Sequence, residues 1–216
     1  MKNTVYAAPL LTGRSALNTA EPVVLTDCGW PVGNSFCPLT SFRCGVLKGQ
    51  GLLVRLFTQE PEPRAIYTER DDPVWTDSCL EFFFQAKRGG DYVNLEMNAN
   101  GAYLSAVGAG RADRRFLRSF TDLTVSVTPF RQPDGWGVEA FVPFALASAC
   151  FGEPFSLAAG DMFFANAYKC ADDAPQPHYQ SLFPVRVPQP DFHRPEWFGT
   201  ILVTESGGIT DDRQLI

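Results

Sequence analysis

The spacing of turn signals limits the fold of this chain more than any other feature. From Thr40 onward, apolar segments of strand length are cut by Gly, Pro and Asn at intervals too short for long helices. Segments 41–47 and 51–58 come first, ending at Pro61 and Pro63. Segment 78–85 closes at Gly89-Gly90. Segment 91–99 runs into Asn100-Gly101, a strong hairpin signal, with 102–107 as its partner. Segments 122–130 and 136–144 flank a turn at Pro133-Asp134-Gly135, and 161–171 and 197–204 complete the series. The spacing predicts one short helix near 144–150. The reading is all-β: an antiparallel, jelly-roll-like β-sandwich filling 40–205. An irregular segment, 1–39, is expected to pack on this domain, and 206–216 reads as a polar tail.

Two strands alternate in an informative way. In 91–99, Val93, Leu95 and Met97 point one way, with Tyr92, Asn94, Glu96 and Asn98 opposite. In 78–85, Leu80, Phe82 and Phe84 share a face, against Cys79, Glu81, Phe83 and Gln85. If these strands are neighbours, Glu81 lies near Asn94 or Glu96. In 161–171, Asn166 and Tyr168 share a face with Met162 and Phe164. One sheet is therefore expected to expose Glu, Asn, Tyr and Gln, a planar hydrogen-bonding surface suited to neutral polyhydroxylated ligands.

Composition excludes several classes. The net charge is -6, which argues against general phosphate-backbone binding. The Arg cluster at Arg111, Arg114, Arg115 and Arg118 lacks the interleaved aromatics of a nucleic-acid platform. No apolar run approaches the ~18–20 residues of a membrane span. The amino terminus, with one Lys and a patch broken by Pro9, is a poor export signal, so a cytoplasmic location is expected. None of the 6 cysteines forms a CxxC pair. Cys79, Cys150 and Cys170 sit in apolar runs and read as buried thiols. Cys28, Cys37 and Cys44 are close enough in sequence to pair, but free thiols are expected throughout. His178 and His193 lie in Pro-rich loops without convergent ligands.

The most distinctive stretch runs from Glu69 to Phe83: an acidic loop carries Trp75 directly into the strand that bears Glu81. A loop Trp offers a flat face on which a sugar ring can stack, and a strand carboxylate nearby can accept from its hydroxyls. The run Arg70-Asp71-Asp72-Pro73-Val74-Trp75-Thr76-Asp77-Ser78-Cys79-Leu80-Glu81-Phe82-Phe83 resembles the signature of family 9-like carbohydrate-binding modules, a DOMON-like β-sandwich group. Tyr92-Val93-Asn94-Leu95-Glu96-Met97-Asn98-Ala99-Asn100-Gly101 and Pro190-Asp191-Phe192-His193-Arg194-Pro195-Glu196-Trp197-Phe198-Gly199 match in the expected order. The resemblance covers roughly 40–203. It implies non-catalytic binding of a mono- or oligosaccharide, at a chain's reducing end in the best-known members. The sugar there lies between two aromatic rings and is held by Glu, Asn and Arg.

By this resemblance the first ring is Trp75 and the strand carboxylate is Glu81. Asn166 is similar to the family's strand Asn, and Arg111, after Gly108-Ala109-Gly110, to a site Arg. The chain departs from the family's Ser-Trp at Ser181-Leu182, which leaves Tyr179, Phe183 and Tyr168 as candidates for the second ring. The family also implies structural calcium, for which Asp71-Asp72 and Asp172-Asp173 are the available oxygen donors. His193 falls in the motif that anchors the last strand. Neither nucleic acid nor membrane is an expected partner. Two other readings stay open: a glycoside-processing enzyme using Glu81 and Glu96 as paired carboxylates, and a protein-interaction module.

Overall fold

In a computed structural model, residues 5–30 and 36–205 and the backbone of 208–210 are described. The strands, in chain order, are β1 (Val5–Leu11), β2 (Val23–Val24), β3 (Thr40–Leu47), β4 (Gly51–Thr58), β5 (Cys79–Gln85), β6 (Tyr92–Asn98) and β7 (Tyr103–Gly108). There follow β8 (Arg115–Phe116), β9 (Ser126–Gln132), β10 (Gly135–Pro143), β11 (Met162–Cys170), β12 (Tyr179–Ser181), β13 (Gly199–Thr204) and β14 (Gly208–Thr210). A single α-helix, α1 (Phe144–Phe151), ends at Gly152, whose φ of 67° supplies the left-handed cap. The Asn100-Gly101 hairpin forms as read, with Gly101 at φ 83° between β6 and β7.

The strands run β8-β7-β6-β5-β11-β13-β1-β3-β4-β10-β9, folded into two layers. β1 links the layers: Val5 to Pro9 pair with β13, and Leu10 and Leu11 pair with β3. Both pairings are parallel, whereas the remaining ladders are antiparallel. The amino-terminal stretch is therefore not irregular throughout, because it supplies the strand that joins the sheets. Pro9 hides this strand from a sequence reading. It stands where the chain leaves one sheet for the other, a position at which a missing N–H interrupts little. β14 lies inside the segment read as a polar tail and pairs with β1.

Between the layers lies one continuous core. Leu80, Phe82 and Phe84 from β5 and Val93, Leu95 and Met97 from β6 meet Phe42, Val54, Leu56, Trp136 and Val138 from the other sheet. The opposite face of β5, β6 and β11 was expected to meet solvent. It does not: Cys79, Glu81, Phe83, Asn94, Glu96, Asn98, Asn166, Tyr168 and Cys170 are all buried. Loops covering 60–78 and 185–198 close over this face, adding Val74, Val185, Phe192 and Phe198 as a second apolar layer. Polar side chains thus line a covered pocket instead of an open sheet surface.

The expectation of free thiols fails at one pair. Cys28 and Cys37 form a disulfide, while Cys44, Cys79, Cys150 and Cys170 are free and buried. Nine positions separate the bonded pair, and the flanking Trp30 is tied down separately, its indole N–H donating to Val187 O at 2.8 Å. No helix among the described residues is long and apolar enough to cross a membrane.

Candidate functional site

Trp75 stands in a single 3-10 turn, Val74–Thr76, held between two anchored aspartates. The fully buried Asp77 carboxylate accepts the backbone N–H groups of Ile66 at 3.0 Å and Tyr67 at 3.1 Å, accepts Asn98 Nδ2 at 2.9 Å, and pairs with Arg64. Asp71, at φ 65°, donates its N–H to Tyr103 O at 2.8 Å. Its carboxylate accepts Ser105 N at 3.3 Å and faces Arg118 at 3.1 Å and Arg70 at 3.7 Å. The loop is rigidly fastened on both sides of Val74, which plugs the apolar layer. Trp75 is left pointing outward, 41% exposed.

Beneath it the strand register decides the chemistry. Glu81 on β5 sits directly opposite Glu96 on β6, and both are nearly sealed. Glu96 accepts from Asn94 Nδ2 at 2.9 Å and Arg114 Nη1 at 3.2 Å. Among the described residues Glu81 makes one hydrogen bond, from the Cys170 thiol at 3.0 Å. Burial, and then the charge of Glu96, push the Glu81 carboxyl well above the usual carboxylate range. Burial also raises Glu96, against the pull of Arg114. Arg114 donates to His193 Nε2 at 3.2 Å, which leaves the imidazole proton on Nδ1 to meet the Tyr92 hydroxyl at 2.8 Å. Burial, followed by Arg114 and Arg111, lowers His193 to about 2, so the ring stays neutral.

At the rim, Arg111 pairs with Asp191 at 3.0 Å while its side chain remains 61% exposed. Asp191 is itself fixed by the His193 N–H at 3.1 Å and Arg194 at 2.7 Å. On the facing wall Tyr179 and Asp172 lie side by side, and burial raises the Asp172 carboxyl. Together these groups enclose a cavity of about 180 Å³ lined by Trp75, Glu81, Glu96, Arg111, Arg114, Cys170, Asp172, Tyr179 and the 190–193 turn. It falls below the roughly 300–1,000 Å³ of sites that hold drug-sized ligands, and it suits one small ring.

Of the residues read from sequence, Trp75, Glu81, Arg111 and Tyr179 line this cavity. Asn166 and Tyr168 do not. Asn166 is spent on backbone, its Nδ2 donating to Phe183 O at 2.8 Å and its Oδ1 accepting Phe183 N at 2.9 Å. Tyr168 is fully buried beneath Phe192, the rings stacked at 4.1 Å. Both point to the correct face, but the 183–198 chain lies over them. Phe183 is likewise buried, against Gly199. Sequence reasoning missed Arg114, Asp172, Asp191 and the part played by His193. The Arg cluster and the 190–199 motif held the signal, but only folding shows which members converge.

Of the acidic pairs offered for calcium, Asp71 is the one held by two cations. Asp71 already faces two guanidinium groups, and Asp72 accepts the Glu69 N–H at 3.0 Å. Asp173 faces Arg64 at 3.9 Å, and Asp172 lines the cavity beside Tyr179.

The sequence profile of the family described as Carbohydrate-binding family 9 matches residues 16–203. No curated protein shows a significant match. Among solved structures, a candidate carbohydrate-binding protein from Bacteroides uniformis is similar at TM-score 0.77 and 25% identity, over 92% of this chain and 98% of its own. A family 9 carbohydrate-binding module from Caldicellulosiruptor kristjanssonii, in complex with glucose, is similar in fold at TM-score 0.67 and 12% identity, over 96% of this chain and 100% of that one. The same module with cellotriose gives TM-score 0.67 and 12% identity, over 98% of each chain.

Proposed function

The chain belongs to carbohydrate-binding family 9, whose members bind saccharides without catalysis, and from that premise we propose that its cavity holds one terminal sugar ring. The observation that carries this reading is an exposed Trp75 at the mouth of a cavity floored by two carboxylates and an arginine. A pyranose has an apolar C–H face and a rim of hydroxyls. Trp75 meets the first, and Glu81, Glu96, Arg111, Arg114 and Asp172 supply acceptors and charged donors for the second. Tyr179 is the ring available on the other wall. Glu96 is held through one oxygen by Arg114 and Asn94, and its other oxygen, without a hydrogen-bond partner among the described residues, is available to a sugar hydroxyl. Glucose and short β-glucans are the ligands to try first, because the Caldicellulosiruptor module is seen with glucose and cellotriose.

Each hydroxyl exchanges water for protein, so each bond contributes only about 1 kcal/mol net. Binding is expected at Kd between roughly 10 μM and 1 mM. Calorimetric titration with glucose, cellotriose and a wider glycan panel tests this. Trp75→Ala should weaken binding at least about tenfold by removing the buried apolar face. Heat from no saccharide, or equal affinity in Trp75→Ala, would overturn the reading.

A further inference from the structure

The deepest wall of the cavity has a donor set that sugar binding does not require. Cys79 and Cys170 face each other across β5 and β11. Glu81 lies two positions beyond Cys79 on the same face of β5, and one ligand atom from each of the three lies within 4.8 Å of the others. All three are buried, and Glu81 and Cys170 line the cavity. The charge balance there is incomplete. Glu96 has an arginine and an amide, but among the described residues the one hydrogen bond to Glu81, pressed against it, comes from a weak thiol donor. A sealed carboxylate with no guanidinium or ammonium in hydrogen-bond contact is costly to ionise.

We propose that Cys79, Cys170 and Glu81 form a binding site for a thiophilic divalent cation of the zinc type. Two sulfurs and one carboxylate oxygen select a borderline-soft ion over calcium or magnesium. Zinc–sulfur bonds of about 2.3 Å in a tetrahedron place the two sulfurs just under ~4 Å apart. That lies inside the observed 4.8 Å envelope, so side-chain rotation suffices. The fourth position opens on the cavity, where a water or a ligand hydroxyl would complete the shell. Binding displaces one proton from each thiol, and one from Glu81 where it is protonated, and no electrons move.

The site shares Glu81 with the saccharide reading but does not depend on a sugar. Its test is a titration of the full chain with Co²⁺ alone, under reducing conditions, followed by displacement with Zn²⁺. The expected result is one Co²⁺ per chain, with thiolate-to-cobalt charge-transfer absorption and strong tetrahedral bands that Zn²⁺ abolishes. Cys79→Ser and Cys170→Ser should each weaken uptake at least about a hundredfold. Glu81→Gln should weaken it at least about tenfold while keeping the charge-transfer band. Cys150→Ser, a buried thiol outside the site, should change nothing. The unsubstituted protein decides the matter even if a variant misfolds. Absence of thiolate-bound cobalt, or a bond joining Cys79 to Cys170 in untreated protein, would overturn the proposal. Because no sugar is present, the result is independent of the calorimetry above.

Discussion

Lys169 carries its ammonium group into the interior, fully buried, 3.2 Å from Glu60 and 2.8 Å from Cys170 O. Glu60 also accepts Trp136 Nε1 at 3.0 Å and Ser78 Oγ at 2.8 Å. Burial alone would raise its carboxyl, but Lys169 and these two donors outweigh burial and lower it. Removing one partner of such a pair leaves the other charged and sealed, at a cost of about 3–5 kcal/mol. Lys169→Met should therefore lower Tm by roughly 10 °C in a scanning calorimeter. Adding Glu60→Gln should restore most of that loss, since the amide needs no counter-charge. A double variant no more stable than the single one would show that Lys169 acts by packing. In sequence, Lys169 looks like an ordinary strand residue between Tyr168 and Cys170. Its direction into the core follows from strand alternation, but its partner lies more than a hundred positions away, beyond the reach of any local pattern.

The decisive element is the loop from Glu60 to Ser78, which turns an exposed sheet face into a covered cavity. Its hold is polar: Asp77 gathers two backbone N–H groups, Asn98 and Arg64, and Asp71 gathers Ser105, Arg118 and Arg70. Asp77→Ala should cost about 3 kcal/mol or more and release Trp75 from its position. Urea unfolding would read the first effect and a fall in saccharide affinity the second. Retained affinity at reduced stability would mean that Asp71 alone positions the ring. The β6–β7 hairpin makes a smaller prediction. At Gly101 a side chain would face both a φ of 83° and the Pro129 ring, whose Cδ would lie 2.8 Å from the added Cβ. Gly101→Ala should then destabilise by about 1–2 kcal/mol, without touching the cavity. These strands, their alternation and this turn were legible because period-2 patterning and Asn-Gly are local signals. The loop's role was not, since its contacts are spread over the 98–118 region.

Across the whole molecule, buried titratable groups make stability depend on pH in opposing directions. His178 donates Nδ1–H to Gln176 O at 2.7 Å, and its Nε2 has no hydrogen-bond partner among the described residues. Burial and then Lys169 lower it to about 4. As pH falls, the unfolded chain takes this proton first, so the contribution is present above about pH 6.5 and is lost between there and pH 4. The raised Glu81 and Glu96 act oppositely, favouring the folded state as they become neutral. Comparing wild type with His178→Gln isolates the histidine: the stability gap measured in urea at pH 7 should shrink by roughly 2–3 kcal/mol at pH 4.5. An unchanged gap would mean that His178 titrates alike in both states. By itself the sequence determined a β-sandwich, the faces of its central strands, and a loop Trp leading into a strand Glu, because alternation and turn chemistry act over a few neighbours. The tertiary structure alone decided that β1 joins the sheets, that loops bury the polar face, and that Arg114, Asp172 and His193 complete the cavity while Asn166 and Tyr168 do not. Those outcomes depend on which distant segments pack over a face, and burial against a distant segment leaves no periodicity in the chain.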